Sequence, residues 1–581
     1  MKILICNTPL RGEGAKTIYP PLGPMAVIQW LKAAGFTDIE FYDLNYFRPS
    51  DESFAQYLLE HQFDIIGISA SVSATYRDVK KYTAMVKSLL PGVVVIVGGA
   101  LAFSPEVLLK LGKVDYCVVG EGEIIAVNLV QNLARHSLGK DVSSLREIKG
   151  LSFLDERGDV VFTGYERQLA AKEIPDPDYP LLRKYNLVDH YFPEPWVYEQ
   201  FTWDERSHES HLLGKRMACV VSSRGCIAHC TFCHRWQQGI RMFSVDGVIR
   251  LVQHVMDEYN VGFISFGDED FGATKKWIAE FADRMKELNI LYRLSAVRAD
   301  NINLELLKRL RDSGCVAIHY GWESGSDRML TVMEKMVNAE TNYRVGRWTE
   351  EAGLQTVPAL VVGMPGETYE TVEETIRFVE TVTENLPRQP LVSVNQLVVL
   401  PGTPVYEYAR QREFLGTTLE DEEAYLLQIS NQDGGSPWNL NLTDYPTFIL
   451  SGWIHEIYWS VRYHYCKKNN LPRITTRAML WRILKLLIIR PDKLRDEPPG
   501  IATHPWFYRL RHVIAPAYVA ATTFREIGVR EFLKRCAELI IWPWRKKYYT
   551  EWLPVRKYLK SSIQQTLELG ATNVQVLRLG R

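Results

Sequence analysis

Arg224-Gly225-Cys226-Ile227-Ala228-His229-Cys230-Thr231-Phe232-Cys233 places three thiols within eight residues, a spacing of C-x3-C-x2-C. A loop lets all three turn towards one point. Structural zinc and simple iron–sulfur clusters normally take four protein ligands, so three leave one coordination position open to something else. On these ten residues alone, zinc binding and three unrelated buried cysteines remain open.

Working outward, the chain from residue 217 repeats strand, loop and helix about six times. Strands are expected at 218–222, 262–266, 292–296, 316–320, 356–362 and 392–400, with helices at 245–259, 275–288, 304–313 and 369–382 between them. This is the pattern of a (βα)6 part-barrel, whose chemistry sits on loops at the strand carboxyl ends. The three-cysteine loop follows the first strand. The second strand ends in Gly267-Asp268-Glu269-Asp270-Phe271, and the third leads to Arg298 and Asp300. The fourth and fifth end in Gly321-Trp322-Glu323-Ser324-Gly325-Ser326 and Gly363-Met364-Pro365-Gly366-Glu367-Thr368, and Pro401-Gly402-Thr403-Pro404-Val405-Tyr406 follows the sixth.

In this order, the motifs resemble those of the radical S-adenosylmethionine (SAM) enzymes. The resemblance implies that Cys226, Cys230 and Cys233 hold a [4Fe-4S] cluster, with Phe232 beside the last thiol and the amino and carboxylate groups of SAM on the fourth iron. It implies that Asp268 and Glu269 accept from the methionine amino group, that Glu323 and Ser324 meet the ribose and methionine parts, that Gly363 and Pro365 lie against adenine, and that Arg298 belongs to the same site. It also implies a one-electron reductant such as flavodoxin or ferredoxin, and cleavage of SAM to methionine and a 5′-deoxyadenosyl radical. His229, His234 and His319 lie near these loops, but as polar surface or structural histidines they receive no acid or base role.

Residues 1–145 alternate short apolar strands, at 3–6, 39–42, 65–69, 93–97 and 116–119, with amphipathic helices. A flavodoxin-like, doubly wound α/β domain is expected, with its ligand beyond the strand carboxyl ends. Gly23, Ser69, Gly98, Gly99, Gly120 and Glu121 stand in the loops there. Their combination resembles the cobalamin-binding domain that precedes many radical SAM domains, and the resemblance makes them candidate cobalamin contacts. The chain lacks D-x-H-x-x-G, and Leu101 stands where many relatives have histidine. Cobalamin without a histidine ligand from this domain is therefore implied, or a domain that has kept the fold and lost the vitamin.

Residues 146–215 read as a hairpin and a proline-rich linker, 216–410 as the part-barrel, and 411–581 as a helical, aromatic and basic domain. In that last domain helices are expected at 420–429, 447–466, 477–489 and 525–541. Residues 467–581 carry about 15 more basic than acidic side chains, although the whole chain has a formal net charge of -1. Overall charge thus argues against nucleic acid. Aromatics interleaved with Lys and Arg, as in Trp542-Pro543-Trp544-Arg545-Lys546-Lys547-Tyr548-Tyr549, suit a peripheral membrane contact or a helical cap, and the former would fit a lipid-like substrate. No apolar run reaches about 18 residues, nine cysteines in 581 residues do not form a disulfide framework, and the cytoplasm is the expected compartment.

Methyl transfer to an unactivated carbon, with cobalamin as methyl carrier, is the leading reading. A cobalamin-assisted cyclase, oxidase or mutase without methyl transfer is its alternative. A methylthiotransferase is disfavoured because the first domain has only Cys6 and Cys117. From another class, a zinc-bound, non-catalytic binding module remains the competitor. The substrate itself is not legible.

Overall fold

The computed structural model describes residues 1–10, 16–234, 239–272, 274–386, 388–430, 439–471, 475 and 504–542. The expected basic helix at 477–489 and the stretch 543–549 lie outside them.

The first sheet is built from apolar runs too short for helices. Its strands are β1 (Ile3–Asn7), β2 (Ile39–Asp43), β3 (Ile65–Ser69), β4 (Val94–Gly98) and β5 (Tyr116–Val118), joined by β6 (Leu151–Leu154) and β7 (Val160–Phe162), in the order β2-β1-β3-β4-β5-β6-β7. The first five are parallel; β6 runs antiparallel to β5, and β7 antiparallel to β6. Both faces are covered: Ile3 and Ile5 enter one core with Met25, Ile28 and Leu129, while Leu4 and Cys6 enter another with Phe54, Val79 and Val86. Strand order reverses between β1 and β3, which fixes a crevice at their carboxyl ends. The hairpin read from residues 151–163 is not free-standing, for β6 pairs with β5 and extends this sheet.

The second sheet has the order β15-β14-β13-β12-β11-β8, with β8 (Arg216–Val220), β11 (Val261–Phe266), β12 (Leu291–Val297), β13 (Cys315–Glu323), β14 (Ala359–Val362) and β15 (Ser393–Gln396) all parallel. Each βα unit adds on the same side, so the sheet curls into an open half-barrel. Two further strands, β9 (Ser223–Cys226) and β10 (Gly239–Met242), form an antiparallel hairpin beyond the end of β8. Cys226 therefore closes a short strand, where a loop was expected for all three thiols.

Residues 181–215, which carry no evident motif, supply part of the barrel floor. Phe201 and Leu212 are buried with Met217, Cys219, Phe263 and Leu291. At the other edge, Thr447–Lys468 forms a helix whose Leu450, Trp453, Ile457 and Val461 join the half-barrel core. The Tyr458 hydroxyl reaches the edge strand, its Oη accepting from Val394 N at 3.4 Å, so the open edge is covered rather than left to pair with another chain. The helix Arg511–Ile541 packs on this one, and Gly452 permits the approach: a Cβ there would lie 3.1 Å from Pro516 N. The helix expected at 525–541 is the end of this longer one and contains a break at Gly528 (φ 74°).

His512 fastens that outer helix. Its ring nitrogens lie 3.2 Å from Glu373 Oε1 and 2.5 Å from the fully buried Glu456 carboxylate, and Tyr369 packs edge-on against the ring. Glu373 and then Glu456 raise the His512 pKa from 6.5 to about 9. Because the folded value is the higher one, this contribution to stability is complete below pH 6.5 and is lost as pH rises through about 9. Thermal unfolding should show the loss across that interval in the wild type and a flatter profile in His512→Gln. The variant should also be less stable at neutral pH, since it leaves Glu456 buried without its cation.

Candidate active site

The acidic stretch after β11 is spent largely on the hairpin that carries the first cysteine. Asp268 Oδ1 accepts from Ser222 N (2.8 Å), Ser222 Oγ (3.0 Å) and Ser223 Oγ (2.7 Å). Glu269 accepts from Gly225 N at 3.0 Å. Asp270 accepts from Ile227 N at 3.4 Å and lies 3.6 Å from Cys226 Sγ. Burial raises the Asp268 pKa to about 6 despite those donors, and its Oδ2 is buried with no hydrogen-bond partner. One oxygen thus fixes the hairpin and the other is left over for a donor.

Cys226 Sγ accepts from Ala228 N at 3.3 Å. Thr231 ties the following loop to the barrel through Val332 O and Met333 O, and its own carbonyl accepts from Val405 N at 3.1 Å. Phe232 packs against the core shared with the first domain. Cys230 is buried and Cys233 is exposed at the mouth; protein crowds Cys233 on its other sides, and desolvation pushes its thiol to about 12. Burial pushes the Cys226 thiol to about 11. Among the described residues, no three His, Cys, Asp or Glu side chains converge closely enough to grip a single metal ion.

The remaining strand ends crowd the same mouth. Glu323, held left-handed at φ 60°, pairs with Lys335 Nζ at 2.8 Å; such backbone conformations cost about 1–3 kcal/mol and concentrate at functional sites. Desolvation alone would lower the Lys335 pKa, but Glu323 and Cys230 outweigh it and hold the ammonium above its ordinary value. Ser324 is turned away from the mouth, its hydroxyl committed to Thr375 Oγ1 at 2.9 Å. Gly363 N donates to the buried Glu367, whose carboxyl burial raises to about 8, and the same carboxylate accepts from Met364 N at 3.3 Å. This clasp shapes the turn containing Pro365. Arg298 is occupied by Asp300, at 2.8 and 3.0 Å. Sequence reasoning missed Lys335 and Ser222, since neither belongs to a ligand-like pattern, and it did not show that Glu367, inside a quoted motif, serves as a clasp on its own turn.

The first domain turns its strand ends towards this mouth. Gly99 has φ 89°, and a Cβ there would fall 2.4 Å from Ala70 O, so only glycine fits. Gly98 and Gly120 flank it at the ends of β4 and β5, while Gly23 has open space around it. Ser69 uses its carbonyl to accept from Thr8 and leaves its hydroxyl 3.5 Å from Ser71 Oγ. Leu101 is fully buried in the core. Phe103 bridges the domains: its ring lies 5.4 Å from the His234 ring and against Gly402. His234 Nδ1 is buried without a partner, and burial lowers the pKa of that ring to about 4.

Glu121 does something other than expected. It forms ion pairs with Arg241 (2.6 Å) and Arg224 (3.5 Å), and accepts from Leu169 N at 2.8 Å, while Glu123 pairs with Arg224 at 2.6 Å. Both arginines lie on the β9–β10 hairpin, so the loop after β5 clamps the cysteine hairpin to the first domain.

Residues 220–379 match the radical SAM superfamily, which defines the half-barrel and its cysteine loop as a radical SAM domain. Residues 11–130 match the B12 binding domain, so a B12-binding domain precedes a radical SAM domain in this chain, and the pair of domains implies a [4Fe-4S] cluster, SAM and cobalamin. The chain is similar to an anaerobic magnesium-protoporphyrin IX monomethyl ester cyclase of Cereibacter sphaeroides, with 29% identity over 65% of this chain and 59% of that protein. It therefore spans about three fifths of that relative's length. Its fold resembles the cobalamin-dependent SAM radical enzyme OxsB (TM-score 0.58, 16% identity, 97% of this chain and 84% of that one). It also resembles the radical SAM methyltransferase TsrM of Kitasatospora setae (TM-score 0.53, 18% identity, 71% and 75%).

The residues present fit those groups. Three closely spaced thiols, Cys226 at the end of β9 and Cys230 and Cys233 in the segment after it, suit a cluster with one open position, and the unpartnered Asp268 Oδ2 suits an ammonium donor. Open space at Gly23, in the first turn of the helix that follows β1, suits a large ligand beyond the strand ends.

Removing Arg241 should leave Glu121 underpaired in a site where both side chains are largely buried. Arg241→Met is expected to cost about 3–5 kcal/mol, and the Glu121→Gln, Arg241→Met double variant less than the sum of its parts. Urea unfolding of the four proteins checks this; strict additivity would mean that the pair is not coupled.

Proposed function

We propose that the protein is a cobalamin-dependent radical SAM methyltransferase acting on an unactivated carbon. Cys226, Cys230 and Cys233 hold the cluster; Asp268 Oδ2, Glu323 and the turn at Gly363 and Pro365 receive SAM; the loops at Gly98, Gly99 and Gly120 receive cobalamin. The observation that carries this reading is the contact of Phe103 with His234 and Gly402, by which the strand-end mouths of the two matched domains face each other across one space. When bound, these groups supply reductive SAM cleavage and a transferable methyl group.

The chain's own part is positional. Asp268 orients the hairpin with one oxygen and offers the other to an ammonium. Lys335 holds the Glu323 carboxylate in place at the mouth. Phe103 and neutral His234 close the seam between the domains against water, which protects reactive species from side reactions. Arg298 and Ser324 act by holding their turns, and Glu121 by holding the hairpin.

Radical SAM enzymes need a reductant, and flavodoxin or ferredoxin fills that role here. The basic, aromatic carboxyl-terminal third supports peripheral contact with an anionic membrane; salt-sensitive cosedimentation with anionic liposomes is expected, and indifference to them would remove the contact. Among the described residues no helix is long and apolar enough to cross a membrane.

Anaerobically reconstituted protein should contain iron and sulfide and cleave SAM under dithionite, and the triple alanine variant of Cys226, Cys230 and Cys233 should lose both. One zinc per chain without SAM cleavage would overturn the proposal. The likeness to a cyclase gives a second reading, cobalamin-assisted cyclisation or oxidation. Isotopically labelled SAM methyl separates the two, since only methyl transfer carries label into the product.

A further inference from the structure

The half-barrel lumen is layered. At its floor lie Met217, Phe263 and Leu291; at its mouth lie Asp268, Glu323 and the cysteine loop. Between them Cys219, Ser265, Arg293, Ser295 and His319 point inward, because they alternate along their strands with residues such as Val220, Ile264, Leu294 and Ile318 that pack outward.

Arg293 is 5% exposed and sits in mid-strand, directly opposite Ser265 in register. Its guanidinium lies 3.7 Å from the centroid of the Tyr198 ring. It donates to Ser295 Oγ at 3.2 Å and makes a long contact of 3.5 Å with His319 Nδ1, while Nε has no partner. Among the described residues no carboxylate pairs with it. The groups around it do not supply the missing charge. Burial pushes the Cys219 thiol to about 12 and the Tyr198 hydroxyl above its ordinary value, and lowers His319 to about 3. Thiol, phenol and imidazole are all neutral, so the cation has the face of the Tyr198 ring but no counter-ion.

Two further polar atoms share this layer without a partner. His319 Nε2 and Ser265 Oγ are buried and unbonded. With Nδ1 turned towards the guanidinium, Nε2 carries the proton and is a donor. The lumen therefore presents one buried positive charge and three unsatisfied donor groups, from three adjacent strands. A buried charge without a counter-ion costs several kcal/mol, and such a cost persists where a ligand removes it.

We propose that this layer binds an oxyanion group of the substrate, a carboxylate or a phosphate, with Arg293 as counter-charge and His319 and Ser265 as donors. The inference rests on the reading of the half-barrel as the active site. It adds that the substrate enters anion first: Ser265 lies three residues before Asp268 and His319 four before Glu323 on their strands. The anionic end is thus held below the mouth and the rest of the molecule projects towards the cofactors. Tyr198, from the segment between the domains, forms one wall against Arg293, and Tyr19 reaches it at 3.2 Å.

The test uses full-length, cluster-loaded protein, kept anaerobic, melted at constant ionic strength in chloride with rising inorganic phosphate or acetate. The wild type should show a saturable rise in melting temperature with at least one anion, and Arg293→Gln none. In chloride alone Arg293→Gln should melt higher than the wild type, because it removes a buried charge that has no counter-ion. SAM binding should be unchanged within about twofold. His319→Leu, which keeps the cation, should weaken the anion response, and His319→Gln, which retains a donor, should restore part of it. A lower melting temperature for Arg293→Gln in chloride would make the cation structural and overturn the proposal, as would equal anion responses in both proteins. Loss of SAM binding by about tenfold or more in Arg293→Gln would assign the layer to the SAM carboxylate instead. Iron content and SAM cleavage on the same samples report separately on the radical SAM reading.

Discussion

The ion-pair network of Glu121 and Glu123 with Arg224 and Arg241 joins what two separate sheets make possible. The two sheets share continuous apolar cores, and each opens a crevice at its strand carboxyl ends. Apolar contact is non-directional. The four charged side chains add a fixed direction, because the acids lie just after β5, Glu121 before and Glu123 within the first turn of the helix Gly122–Arg135, and the bases on both strands of the cysteine hairpin. Removed from water, such pairs tolerate little displacement, since separating them exposes buried charge to a low-dielectric surround. The hairpin is fixed from its other side by Asp268, Glu269 and Asp270. Cys226 is thereby held between acids of both domains, and Phe103 can meet His234 across the seam.

The open half-barrel needs a second constraint, because a six-stranded curl leaves an edge at β15. The helix Thr447–Lys468 covers that edge with Trp453 and Leu450 in the core and Tyr458 against the strand. The outer helix is then secured by His512 between Glu373 and Glu456. Gly363 shows how closely lid and site are connected: a Cβ at that turn would lie 3.3 Å from Leu450 of the covering helix. The aromatic character of this third of the chain accordingly serves packing within the described residues.

Much of this was legible in the sequence, and for a physical reason. Buried parallel strands read as short apolar runs, and strand-end loops read as clusters of glycine and polar residues, so the two sheets and the order of their motifs follow from local pattern. What failed to show was the destination of individual charges. Glu121 looks like a ligand contact beside Gly120 and is an interdomain ion pair. Glu269 and Ser324 stand in ligand-like motifs and hold backbone and helix. Arg293, Tyr198 and Lys335 gave no signal, because a residue that matters through a partner far along the chain has no local spacing to reveal it.

The contrast between the clamp and the lumen sharpens the distinction between structural and functional charge. Arg224 and Arg241 each face carboxylates, so their charges are answered within the chain and their work is done in the resting protein. Arg293 is as deeply placed, yet it faces a phenol, a thiol, an imidazole and a hydroxyl. Had selection favoured stability alone at that point, an apolar residue would pack there at no electrostatic cost, as Phe263 and Leu291 do one layer below. A cation maintained against that cost, beneath a mouth lined with acids and thiols, is organised for a molecule that brings the opposite charge with it.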